Sequence, residues 1–185
     1  DTVKETGDHG SFNSWGRDRF WHPNRSQTTE WLKKHPDMPK WDCQKTIVLR
    51  NNRWRCDHGW DIDLDDGSSN YEIDNNLCLA GGIKLREGYF RSVRNNVLVN
   101  YTFCPHVWYP DCHTSFERNI IWRDGYAAAG MQETDQGASV DYNFVHQPGA
   151  EVRQSRELPK FGGDRHTLTG DAMFVDPLSG DYRVQ

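Results

Sequence analysis

The sequence predicts an all-β fold, a parallel β-helix (solenoid) with a short helical insertion, on three observations. The first is an internal repeat. Five segments, Val48-Leu49-Arg50-Asn51-Asn52-Arg53-Trp54, Ile73-Asp74-Asn75-Asn76-Leu77-Cys78, Val93-Arg94-Asn95-Asn96-Val97-Leu98, Phe116-Glu117-Arg118-Asn119-Ile120-Ile121 and Val140-Asp141-Tyr142-Asn143-Phe144-Val145, each carry an apolar residue three before an Asn and another two after it. The second is the period. From Asn52 to Asn76, Asn96, Asn119 and Asn143 the steps are 24, 20, 23 and 24 residues, which suits one coil per repeat. The third is the local pattern. The segments are short patches of Val, Ile and Phe around a polar turn, without the i, i+3, i+4, i+7 recurrence of a helical repeat.

Each element then has a reason. Stacked coils place Leu49, Ile73, Val93, Phe116 and Val140 in one inward column, and Trp54, Cys78, Leu98, Ile121 and Val145 in another. Asn suits the turn between them because it tolerates left-handed backbone and its amide can hydrogen-bond along the axis. Cys78 is read as a small core residue. One domain is expected over residues 1–185, with regular coils over 47–145. Residues 26–42 form an insertion between two coils, where Ser26 to Met38 is read as a short helix stopped by Pro36. Residues 171–185 are expected to be a turn and short strand closing the open end. A solenoid needs a cap at each end, and none is visible at the N-terminus. The chain is therefore expected to be the C-terminal part of a longer coil, with a preceding β-helix segment or a second chain covering the end below Asp1.

Composition excludes several classes. The chain has 185 residues, 22 Lys and Arg against 27 Asp and Glu, and a net charge of −5. No basic block stands out, so no nucleic-acid partner is expected. No stretch approaches the ~18 consecutive apolar residues of a membrane span. Hydrophobic residues are 35%, yet there are 8 Trp, 7 Tyr and 8 Phe, a balance that suits a folded chain with exposed flat rings. Five Cys without a CxxC pair give little support to a structural zinc site. Cys104 and Cys112 are near enough in sequence to bridge across a loop.

The densest acidic cluster is Asp57-His58-Gly59-Trp60-Asp61-Ile62-Asp63-Leu64-Asp65-Asp66-Gly67. Its alternation is that of a strand with Ile62 and Leu64 inward and Asp61, Asp63 and Asp65 outward. Three carboxylates on one face call for cations or a ligand. No cofactor is expected, calcium being considered only at Asp61, Asp63 and Asp65. One coil later come Lys84, Leu85, Arg86, Glu87 and Gly88. Matching Ile62/Leu64 to Ile83/Leu85 leaves offsets of 21 and 23 open. The latter stacks Asp61 on Lys84 and Asp63 on Arg86, while the Asn period of 24 stacks Asp63 on Glu87. Glu87 is expected about one coil, roughly 5 Å, from the Asp cluster. That spacing suits the two carboxyls of a glycosidase, with Lys84 and Arg86 setting which one holds the proton. A third constellation, Gly7-Asp8-His9-Gly10-Ser11-Phe12-Asn13-Ser14-Trp15-Gly16-Arg17-Asp18-Arg19, alternates polar and aromatic residues with glycines. Trp15 can stack on a sugar face, Asp18 can accept sugar hydroxyls, and His106 and Trp108 are expected to extend the same groove.

At these residues the chain resembles right-handed parallel β-helix glycoside hydrolases, namely the β-helix β-xylosidases and the related group of α-L-fucosidases and xylanases. Gly59-Trp60-Asp61-Ile62-Asp63-Leu64-Asp65-Asp66-Gly67-Ser68-Ser69-Asn70, Lys84-Leu85-Arg86-Glu87-Gly88 and Phe174-Val175-Asp176-Pro177 carry it together with the Gly7–Arg19 motif. The xylosidases imply Asp63 or Asp65 as nucleophile with Glu87 as acid/base. The fucosidase group implies Asp18 with the Asp61–Asp65 cluster. Asp8, His9, Trp15, Arg17, His58, Trp60, Asp61, Lys84, Arg86, His106 and Trp108 are the expected substrate-binding residues. The expectation is a secreted or periplasmic glycosidase acting on plant cell-wall polysaccharide. Its alternatives are a β-helix polysaccharide lyase using Lys84 and Arg86 with calcium, and a non-catalytic carbohydrate-binding coil.

Overall fold

The computed structural model describes residues 8–16, 21–122, 125–131, 137–155 and 165–185. The chain winds through a three-sided parallel β-solenoid of about five turns. In chain order the strands are β1 (Phe12–Ser14), β2 (Ile47–Arg50), β3 (Arg53–Trp54), β4 (Ile62–Leu64), β5 (Tyr71–Asp74), β6 (Leu77–Cys78), β7 (Ile83–Arg86), β8 (Arg91–Arg94) and β9 (Val97–Leu98). They continue as β10 (Phe103–His106), β11 (Ser115–Glu117), β12 (Ile120–Ile121), β13 (Ser139–Asp141), β14 (Phe144–His146), β15 (Arg153–Gln154), β16 (Leu168–Gly170), β17 (Phe174–Asp176) and β18 (Asp181–Val184). The first sheet stacks β1, β4, β7 and β10; the second β2, β5, β8, β11 and β13; the third β3, β6, β9, β12, β14 and β16, with β15 antiparallel on β16.

Both expected columns form. Leu49, Ile73, Val93, Phe116 and Val140 pair in register through the second sheet, and Trp54, Cys78, Leu98, Ile121 and Val145 through the third. The first sheet adds Ile62, Ile83 and Phe103, all fully buried. Phe103 stacks on Phe116 with ring centroids 3.8 Å apart. Alternation thus feeds three inner faces into one continuous core.

The Asn residues form a one-way ladder. The backbone N–H and Nδ2 of Asn52 donate to Oδ1 of Asn76, and Asn76, Asn96 and Asn119 repeat this to the next Asn at 2.9–3.1 Å. At the top, the N–H of Asn143 donates to Oγ1 of Thr167. The left-handed residue is not the ladder Asn but the one before it: Asn51, Asn75, Asn95, Arg118 and Tyr142 have φ between 54° and 58°.

Two expectations need correction. The insertion lies within the first coil, between β1 and β2, and its helix α1 (Arg25–Lys34) is capped by Asn24, whose side chain accepts from the Ser26 N–H. Leu32 anchors this helix to the core. The β17–β18 hairpin does not close an end. Phe174 stacks on Trp122 and packs edge-on to His146, outside the third sheet, and Gly180–Arg183 share a cleft with Asn51–Arg53 of the first coil. The hairpin therefore lies along the flank. Cys104 and Cys112, whose spacing left a bridge open, form no disulfide, and Cys112 is a core residue.

Candidate functional site

Sheet alternation builds a charged row on the outer face of the first sheet. The offset between β4 and β7 is 21, so Asp63 stands beside Lys84, flanked by Asn13 below and Cys104 above. Neither the 23-residue match nor the 24-residue Asn period applies here. The reason lies at one corner: eight positions run from Trp54 to Ile62, but five from Cys78 to Ile83. The three extra residues bulge outward around Asp57-His58-Gly59 and leave the strands above in step.

Lys84 Nζ lies 3.1 Å from Asp63 and 3.4 Å from Asp65. The two carboxyl oxygens are therefore no farther apart than about 6.5 Å, the sum of those distances. Arg86 reaches Asp65 at 3.6 Å and Asp66 at 3.2 Å. Asp63 is fully buried, Asp65 partly open. Burial pushes the Asp63 carboxyl up to about 6; Lys84 pulls it back, and the charges of Asp65 and Asp8 push it further up. His106, next to Arg86 across β7 and β10, is lowered by burial and then by Arg86 and Lys84. The loop after β1 is tied to the loop after β4, since the Gly16 N–H donates to the Asp66 carbonyl and Trp15 Nε1 to the Asp66 carboxylate at 2.5 Å. This leaves the Trp15 ring 65% exposed beside the row.

Other expected residues go elsewhere. Strand β4 begins at Ile62, so Asp61 falls at the corner and is fully buried there. It accepts the N–H groups of Cys56, Ala80, Gly81 and Gly82 at 2.7–3.2 Å. It clamps two coils together, with both carboxyl oxygens already taken up by backbone N–H groups. Trp108 is also fully buried and donates from Nε1 to the Leu85 carbonyl at 2.8 Å. The left-handed Val107 (φ 52°) turns the chain before it, so the groove is not extended by Trp108.

Glu87 occupies the equivalent left-handed turn after β7, with φ 50°. It is 4% exposed, 4.0 Å from Arg86, and its charge acts on Arg91, which is 1% exposed under the turn. The charges acting on Asp63 are instead Lys84, Asp65 and Asp8. Burial lowers the Arg91 guanidinium to about 10. Arg17 and Asp18 lie outside the described residues.

Asp8, His58 and Trp60 come together around a second feature, a cavity of about 350 Å³ that Asp57 and Tyr101 also line. His9 is not part of the lining; its carbonyl lies against Gly59 and Cys56. Tyr101 escaped the sequence reading although its signal was there: Trp60, Gly81 and Tyr101 each stand two residues before the aligned Ile62, Ile83 and Phe103. Among the described residues, no group of three or more His, Cys, Asp or Glu side chains is arranged to hold a metal ion. Comparisons of the chain with protein families, curated proteins and solved structures found no match.

Proposed function

We propose that this chain is a retaining glycoside hydrolase that cleaves glycosidic bonds in plant cell-wall type polysaccharide or oligosaccharide outside the cytoplasm. One observation carries the reading: Asp63 and Asp65 share Lys84 with their oxygens within about 6.5 Å, Asp63 buried with its carboxyl pushed up to about 6 and Asp65 partly open. Retaining enzymes hold their two carboxyls ~5–5.5 Å apart, one keeping a proton and the other attacking the anomeric carbon. In this reading Asp65, open to solvent and faced by Lys84 and Arg86, is the nucleophile. Asp63 supplies the leaving-group proton and later activates the water. The segment Asp8–Gly10, whose Gly10 lies against the Asp63 side chain, walls the site beside Asp63.

Turnover is measured on glycosides with good and poor leaving groups. Asp63→Asn is expected to lose about 100-fold or more on poor leaving groups and far less on activated ones, and to lack the parent's fall in activity as pH rises through about 6. Asp65→Gly is expected to fail on both and to be rescued by azide with an activated substrate. The leaving-group pattern appearing in Glu87→Gln, and not in Asp63→Asn, would move the proton to Glu87. An unsaturated product absorbing in the ultraviolet would replace hydrolysis by lyase chemistry. Binding without any turnover would make the chain a carbohydrate-binding coil.

A further inference from the structure

The outward bulge at Asp57-His58-Gly59 does more than absorb three residues. It raises one wall of the 350 Å³ cavity, and the column Trp60, Gly81, Tyr101 forms the other. Gly81 is the reason the two rings meet. A Cβ there would stand 2.3 Å from the Gly59 carbonyl oxygen, so the coils close tightly and no side chain separates Trp60 from Tyr101. Their rings touch edge to face with centroids 5.2 Å apart. Asp8 and Asp57 bring carboxylates to the rim, and among the described residues no Lys or Arg lines the cavity. Arg55 holds one oxygen of Asp57 from outside at 2.8 Å, which fixes its direction.

The chemistry of this lining selects its ligand. Aromatic faces take the C–H face of a sugar ring, and fixed carboxylates accept its hydroxyl protons. A uronate would bring its own negative charge against Asp8 and Asp57, where the described lining has no Lys or Arg to receive it. The cavity also adjoins the charged row. Gly10 lies between the Trp60 carbonyl and the Asp63 side chain, and the charge of Asp8 reaches Asp63. We propose that this cavity is a subsite for one uncharged sugar residue of a chain whose neighbouring bond lies over Asp63 and Asp65. The proposal deepens the hydrolase reading and rests on it for the position of the scissile bond.

Binding, measured apart from turnover, tests it. Calorimetry and tryptophan fluorescence on the full chain use xylan-, cellulose- and mannan-derived oligosaccharides, with oligogalacturonate as the charged probe. At least one neutral series is expected to bind, oligogalacturonate much more weakly, and Trp60→Ala to weaken the neutral ligand by about tenfold or more. Tyr101→Ala and Asp8→Asn provide second and third variants, each checked for native circular dichroism, and both are expected to weaken it in the same direction. Oligogalacturonate binding as tightly as the neutral sugars would overturn the proposal. So would neutral binding that ignores all three substitutions, or no binding by any probe. Binding that depends on Trp60 in a protein that turns nothing over would keep the cavity and remove the hydrolase reading.

Discussion

Two aspartates two positions apart show how far burial alone is from deciding what a carboxyl does. Asp61 and Asp63 are equally buried, yet Asp61 takes four backbone N–H groups and Asp63 faces a lysine. The same exchange should therefore act in opposite directions. Asp61→Asn turns an amide NH₂ toward N–H donors, and is expected to cost about 3 kcal/mol. At Asp63 the folded chain holds its proton to about pH 6, whereas the unfolded chain releases it near pH 4. Between those values the folded form binds more protons, so stability falls as pH rises, by up to about 3 kcal/mol in all. Asp63→Asn removes this deficit and leaves Lys84 with Asp65. Its melting temperature should exceed the parent's at about pH 7.5, with the gap closing below about pH 4; a variant that melts lower at neutral pH would refute this. The alternation of Asp61, Asp63 and Asp65 was legible in the sequence. The start of the strand one residue later was not, because it is set by amides from the coil above.

At the scale of the element, the turn between the second and third sheets divides its work between two adjacent residues. The ladder Asn bonds, and the residue before it takes the left-handed backbone. Asn96 donates to Ile73 O, Arg94 O and Asn119 Oδ1 from a buried amide, so Asn96→Ala should cost about 3 kcal/mol or more. Arg118 carries φ 56° with an exposed side chain. Arg118→Asn should stabilise by up to about 1 kcal/mol, since Asn adopts that region at lower cost. Chemical denaturation of both variants checks the pair, and the division fails if Arg118→Asn destabilises. Five repetitions made this element readable from spacing. The first sheet was not, because a three-residue difference at one corner offsets its register from the ladder, and the same difference builds the cavity wall.

The whole molecule is asymmetric along its axis. At the upper end the ladder finishes on Thr167, and the flanking hairpin ties the last coils back to the first through Trp122, Phe174 and Tyr182. At the lower end β1, β2 and β3 each pair on one side only among the described residues, and Ile47 and Val48 are 38% and 47% exposed. Open edges with apolar neighbours template association. Light scattering on the 185-residue chain is expected to show size increasing with concentration, and Ile47→Lys with Val48→Lys to suppress it. A monodisperse monomer at all concentrations would show the edge to be inert.

The ladder also governs how the protein ages. An asparagine converts to aspartate when the next backbone nitrogen attacks its side-chain carbonyl. After Asn76, Asn96, Asn119 and Asn143 that nitrogen belongs to Leu77, Val97, Ile120 and Phe144, and each is already donating to the carbonyl of the ladder Asn one coil below. The attacking atom is held in place and its target amide is buried. The side chains that set the fold are thereby sheltered from the reaction that would otherwise put a negative charge into every turn.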